Sequence, residues 1–389
     1  TGLNYESIFN WMLVVLFCLM VFGNKLNEFF NALLTSQSRF IDLSLSTILK
    51  GFISTVFVVV LANRFDIYGI LTALLLGILS FILTAYFRLK PTFSFKPDFT
   101  KLKSLLKVGL SIVMLKEGHF VFWSTCTLLI SRFQGLEQVG QFGFALSIIT
   151  YIINITNAID VVLYPKLGEI RGKYSYNTTE LKKFIQKPVE YFFLLLVYIN
   201  IFAFFLIPLI IIGLLDKYTQ SIDLIKILIP GVIFLRMRGI FGSMMIIYEK
   251  QKYYFITQVI SIIITISLAV WFLYNDYELI FIAFALSLGS FFYGIIIILL
   301  SYNKIFKKGR EGVNLILKIV SPFLLILCAV YFIDKISYSD VYALQIFEGI
   351  IKTIVSLLIS TLLTFLFFPK VDFRILFSTL KQIAVRKKK

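Results

Sequence analysis

The sequence predicts an all-α protein, a polytopic transmembrane bundle of about eleven helices. Three observations predict it. Of the 389 residues, 59% are hydrophobic and 15% charged, against about 45–50% and about 25% in soluble domains. Mean hydropathy is +0.90. The apolar residues fall in runs of about 20, the length that crosses about 30 Å of hydrocarbon. Helices are expected because backbone groups in lipid must be bonded within the segment. Barrel strands would alternate apolar and polar residues, and these runs do not.

The elements follow in chain order. The first run is Ile8–Ser36, apolar to Phe22 and amphipathic beyond it. Ile41–Ala62 and Ile67–Phe87 are the second and third, and a basic connector, Arg88–Ser104, follows. Leu105–Ile130 and Val139–Leu163 are the fourth and fifth, followed by a second basic connector, Pro165–Lys187. The sixth to ninth are Pro188–Leu214, Ile222–Tyr248, Tyr253–Tyr274 and Leu279–Tyr302. Val313–Ile333 and Ile346–Phe368 complete the set.

The net charge of +17 is unevenly placed. One set of alternate connectors and the tail carries about 26 Lys and Arg, and the opposite set about four. The basic side is therefore cytoplasmic, which puts Lys389 inside and Thr1 outside. This placement accounts for the basic charge without a nucleic-acid partner. The protein is expected in the cell inner membrane as a multi-pass chain. Connectors of at most about 25 residues leave no room for an extramembrane catalytic domain, so no enzyme is expected.

The other motifs are negative. Cys18, Cys126 and Cys328 lie inside apolar runs with no metal-ligand spacing, and His119 is the single histidine. No metal and no cofactor are expected. Gly168–Tyr174 is one residue short of a phosphate loop and ends in Tyr where Ser or Thr should stand. The acceptor-like Asn177-Thr178-Thr179 falls on the cytoplasmic side.

Charges inside the runs are the candidate site. An ionisable group at mid-membrane costs at least about 2.5–3.5 kcal/mol, so it faces a bundle interior or a watery cavity. Lys116 and His119 are three residues apart on one helical face, with Glu117 beside them. Arg236 and Arg238 lie in the seventh run; Arg236 is the deeper, and Arg238 can snorkel toward the surface. Asn24, Lys25, Asn27, Glu28 and Asn31 make the first run polar in its second half. Lys50 stands mid-run, with an ion pair to Glu28 or Asp42 as its plainer explanation. Lys25, Lys50, Lys116, His119 and Arg236 are thus candidate contacts for an anionic substrate such as a pyrophosphate. Glu28 and Glu117 are candidates for proton or ion coupling.

Several stretches resemble the polysaccharide-biosynthesis flippases, the O-antigen and teichoic-acid exporter branch of the multidrug/oligosaccharidyl-lipid/polysaccharide exporter superfamily. They are Gln37 and Arg39; Pro97-Asp98-Phe99 with Leu102, Leu105, Leu106 and Gly109; and Ile130–Phe142 with its Val139-Gly140-Gln141-Phe142 run, where the family more usually has Tyr last. Tyr164-Pro165-Lys166, like a proline that closes a helix, and Asp216-Lys217-Tyr218 with Ser221 complete them. The resemblance implies a two-lobed bundle divided as 1–104, the second half of an N-terminal lobe; 105–302, a six-helix C-terminal lobe; and 303–389, two additional helices and a basic tail. Three helices of the first lobe are then missing from this chain. It also implies a flippase that carries undecaprenyl-pyrophosphate-linked oligosaccharide by alternating access, alongside polysaccharide polymerase and assembly proteins. A cation-coupled small-molecule or multidrug exporter of the same fold is the alternative, and a polytopic polysaccharide polymerase the third reading. An exporter of organic cations needs exposed carboxylates. A polymerase usually carries a large outer loop, and the longest outer connector here is Asp334–Gln345.

Overall fold

The computed structural model describes residues 11–37, 39–90, 99–173, 178–336 and 342–367. They form ten α-helices in two compact units, Thr1–Phe99 and Thr100–Lys389. Among the described residues, eight helices are long and apolar enough to cross a membrane. The protein is a multi-span membrane helix bundle.

The first unit holds α1 (Trp11–Ser36) and α2 (Phe40–Leu89). α2 is a hairpin, broken at Asp66 by a left-handed residue (φ 46°, ψ −126°). Its arms are the expected second and third spans, about 39 and 35 Å long at 1.5 Å per residue. Glycine lets the arms touch. A Cβ on Gly69 would strike the Leu61 carbonyl, and one on Gly77 would strike the Ser54 hydroxyl. Phe30, Leu34, Phe81 and Ala85 form the apolar core where α1 meets the hairpin. An ionic clamp ties the hairpin's open end. Asp42 in the first helical turn pairs with Arg39 at 2.8 Å and Arg88 at 3.4 Å, and Arg39 also donates to the Arg88 carbonyl. Asp42 near the N-terminus and Arg88 in the last turn suit the helix dipole at their ends.

The second unit holds α3 (Phe99–Phe133), α4 (Leu136–Lys173), α5 (Thr178–Leu214), α6 (Ser221–Ile247), α7 (Gln251–Tyr274), α8 (Leu279–Lys304), α9 (Gly309–Asp334) and α10 (Tyr342–Phe367). α6 is its hub and packs on α4, α5, α7 and α8. Small residues set the approach, as expected where lipid supplies no hydrophobic drive between helices. Gly231 of α6 abuts Ser287 of α8, Gly294 of α8 abuts Phe234 of α6, and Gly289 of α8 abuts Thr265 of α7. Pro230 lacks the N–H that would bond the Lys226 carbonyl. Tyr331 of α9 donates its hydroxyl there instead, at 3.1 Å.

Where they are described, the two basic connectors are largely extensions of the neighbouring helices. α3 begins at Phe99, α4 continues through Pro165 to Lys173, and α5 begins at Thr178. Lysine and arginine are good helix formers, so a basic run can extend a span rather than end it. Pro165 therefore does not close α4. One proline removes one hydrogen bond, and the neighbouring turns hold.

Candidate functional site

In the first unit the polar second half of α1 carries Lys25 and Glu28, paired at 2.9 Å with side chains 65% and 63% exposed. The pair follows from i,i+3 spacing on one helical face. Both groups therefore look away from the packing of their own unit. Lys50 is half-buried on the first arm of α2. Its two expected partners are taken: Glu28 by Lys25, and Asp42 by Arg39 and Arg88. Among the described residues Lys50 forms no side-chain hydrogen bond or ion pair. A lysine at this depth without a counter-charge needs water or an anion.

In the second unit Lys116, Glu117 and His119 occupy helical positions in α3, and their side chains lie outside those described. Arg236 is 2% exposed, enclosed because α6 is packed from several sides. Arg238, two residues on, is half-buried.

Further ion pairs lie within the helices of this unit. Lys318 of α9 meets Glu190 of α5 at 2.6 Å, and Lys226 of α6 meets Asp334 of α9 at 2.6 Å. Lys352 meets Glu348 at 2.7 Å along α10 and also donates to the Asp334 carbonyl. Only the last was visible in the sequence, as an i,i+4 pair. The others join helices more than 100 residues apart in the chain. α9 is thereby tied to α5 near one end and to α6 near the other. Replacing Lys318 by methionine takes this counter-charge from Glu190. The expected loss is about 3 kcal/mol, and Lys318→Met with Glu190→Leu should cost less than Lys318→Met alone. A double-mutant cycle on thermal melting of the reconstituted protein checks the sign.

The motif residues near Gln141 and Ser221 meet at one joint. Ser221 donates to the Gln141 carbonyl at 3.0 Å, and the Gln141 amide donates to the Lys217 carbonyl at 3.1 Å. Phe144 stacks on Tyr218 with centroids 4.2 Å apart. Phe142 is fully buried, so the missing tyrosine hydroxyl leaves nothing unsatisfied. A second link, Gln134 to the Tyr277 carbonyl at 2.9 Å, joins the α3–α4 and α7–α8 turns. Gln141→Leu is expected to cost about 1 kcal/mol by taking the donor from the Lys217 carbonyl, while Ser221 keeps the backbone carbonyl at position 141; urea or thermal unfolding reads it.

Among the described residues no group of three or more His, Cys, Asp or Glu is placed to hold a metal. The chemistry on offer is charge and hydrogen bonding. The sequence pattern of a family described as "Polysaccharide biosynthesis protein" matches residues 5–223. Among solved structures, "Lipid II flippase MurJ, inward closed conformation" is similar, with a TM-score of 0.58 and 15% identity, covering 87% of this chain and 71% of that one. No curated protein matches.

Proposed function

We propose, starting from the fact that this chain belongs to the polysaccharide biosynthesis protein family, that it is a flippase for lipid-linked oligosaccharide. Its fold is similar to that of the lipid II flippase MurJ, which supports this reading. The cargo we propose is an undecaprenyl-pyrophosphate-linked oligosaccharide, moved across the cytoplasmic membrane for surface polysaccharide. Eleven spans in two lobes, divided near 104 and 302, provide the alternating access, with the basic ends and the C-terminus in the cytoplasm. Polymerase and assembly proteins take up the product.

The observation that carries this reading is Lys50, a cation within the span whose two expected carboxylate partners, Glu28 and Asp42, are engaged elsewhere. Lys25, Lys116 and His119 add to a cationic lining with the enclosed Arg236 behind it, and Glu28 and Glu117 serve ion coupling. A pyrophosphate is the anion such a lining accepts, while the sugars stay in water and the lipid tail in the bilayer. An exporter of organic cations would need free carboxylates at this depth, and the described Glu28 is held by Lys25.

Deleting the gene tests the proposal in cells. Undecaprenyl-pyrophosphate oligosaccharide should accumulate in the cytoplasmic leaflet, and surface polysaccharide should be lost. Normal polysaccharide with no accumulation would contradict it.

A further inference from the structure

Two basic turns that lie far apart in the sequence meet at one end of the second unit. The α6–α7 turn carries Lys250 and Lys252, and the α8–α9 connector with its flanks carries Lys304, Lys307, Lys308 and Arg310. Lys304, in the last turn of α8, stands over the Tyr253 ring of α7 at 4.7 Å. Tyr302 of α8 lies against Phe306 at 5.1 Å, and a Cβ on Gly312 of α9 would stand 2.8 Å from the Tyr302 Cβ. All of these cations except Lys304 are exposed. Glu249 and Glu311 are the acidic residues of the two segments, and Glu311 takes Lys308 at 3.5 Å.

The local sequence is at odds with its helices. α7 opens on Lys250 and α9 on Lys308, and neither side chain caps its helix. A side chain that accepts a hydrogen bond is the usual choice there. A cation at a helix N-terminus also opposes the dipole. Lys252 adds a second cation in the first turn of α7, and Arg310 does so in α9. An anion seated on the two turns relieves this repulsion, because lysine, arginine and helix N-termini all attract phosphate.

The position of the turns identifies the anion. α7, α8 and α9 are each long and apolar enough to cross a membrane, and all three reach the boundary at this end. Exposed apolar surface runs inward from the exposed cations on the same helical faces. Phe255 and Ile256 follow Lys252 by three and four residues, and Val313 and Leu317 follow Arg310 by three and seven. Phe255 is 44% exposed and Val313 45%. A charged head above an apolar stripe fits a phospholipid better than it fits an acidic protein or a free anion.

We propose that the α6–α7 and α8–α9 turns form a docking site for the phosphate headgroup of an anionic phospholipid in the adjoining leaflet, with its acyl chains on the apolar surface beneath. The site lies outside the bundle and is independent of what the chain carries.

The test is lipid binding to the full chain in detergent, read by native mass spectrometry. The probes are phosphatidylglycerol, phosphatidylcholine of the same chain length and inorganic phosphate. The wild type should bind phosphatidylglycerol at least about tenfold more tightly than phosphatidylcholine, and each of Lys250→Gln, Lys252→Gln, Lys307→Gln and Arg310→Gln should weaken that binding about fivefold. The four together should abolish the preference, while Lys250→Arg with Lys252→Arg and Lys307→Arg should keep it. Lys335→Gln, exposed just beyond the opposite end of α9, is the control and should leave it unchanged. Should the combined glutamine variant lose its fold, the four single variants decide. Equal affinity of the wild type for the two lipids overturns the site, as does a preference that survives the glutamine substitutions or falls equally in Lys335→Gln. Inorganic phosphate binding that depends on these cations, with no lipid preference, overturns the assignment to a lipid.

Discussion

Gly294→Leu is expected to prevent stable assembly of the second unit. A Cβ at Gly294 would stand 2.9 Å from both the Phe234 carbonyl oxygen and its Cβ, and 3.1 Å from its Cα. Backbone cannot rotate away as a flexible side chain can. Phe234 is also fixed by edge-on contacts with Phe291 at 4.6 Å and Phe323 at 4.9 Å. The leucine must therefore push α8 off α6, the hub of the unit. The expected cost is about 3 kcal/mol or more, the upper end for overpacking. Gly51→Leu is the control, because its Cβ would meet nothing within 4 Å. Thermal melting and yield of monodisperse protein should collapse for Gly294→Leu and change little for Gly51→Leu. Equal stability of the two would show that α6 and α8 do not approach this closely.

Lys50→Gln should separate function from stability. The lysine is half-buried within α2 and unpaired among the described residues. Removing its charge relieves a cost of at least about 2.5 kcal/mol where water does not reach it. The variant should therefore melt at the same temperature as the wild type or higher. Its transport should fall about 10–100-fold, the factor equivalent to one charge-assisted contact of about 1.5–3 kcal/mol. Lys50→Arg should retain much of the rate. A destabilised Lys50→Gln with full transport would make the lysine structural.

Much of this architecture was legible because lipid makes strong demands on sequence. The apolar runs had to be long, and helices are the segments that satisfy their own backbone. The break between the arms of α2 was visible as Asn63-Arg64-Phe65-Asp66 between two apolar runs. The ends of α4 and α5 were misjudged because basic residues mark where a span leaves hydrocarbon, not where its helix stops.

The site was less legible. Spacing along one helix showed Lys25 with Glu28, since i and i+3 share a face. It could not show that Asp42 would be engaged by Arg88 from the far end of the hairpin, which leaves Lys50 without that counter-charge. It ranked Arg236 by depth, but burial depends on the helices that surround α6. The contrast between enclosed Arg236 and half-open Arg238 is a product of packing. Lys318 with Glu190 likewise joins α9 to α5 across 128 residues, and no local pattern announces it.

The most direct test of the central claim uses the full chain in sealed liposomes that contain fluorescent undecaprenyl-pyrophosphate oligosaccharide. The fraction crossing between leaflets would be followed with and without an imposed proton or sodium gradient. Crossing that depends on the protein, responds to the gradient and falls in Lys50→Gln is the expected result. No crossing, in protein that instead moves an organic cation, would contradict it and turn attention to Glu28 and Glu117.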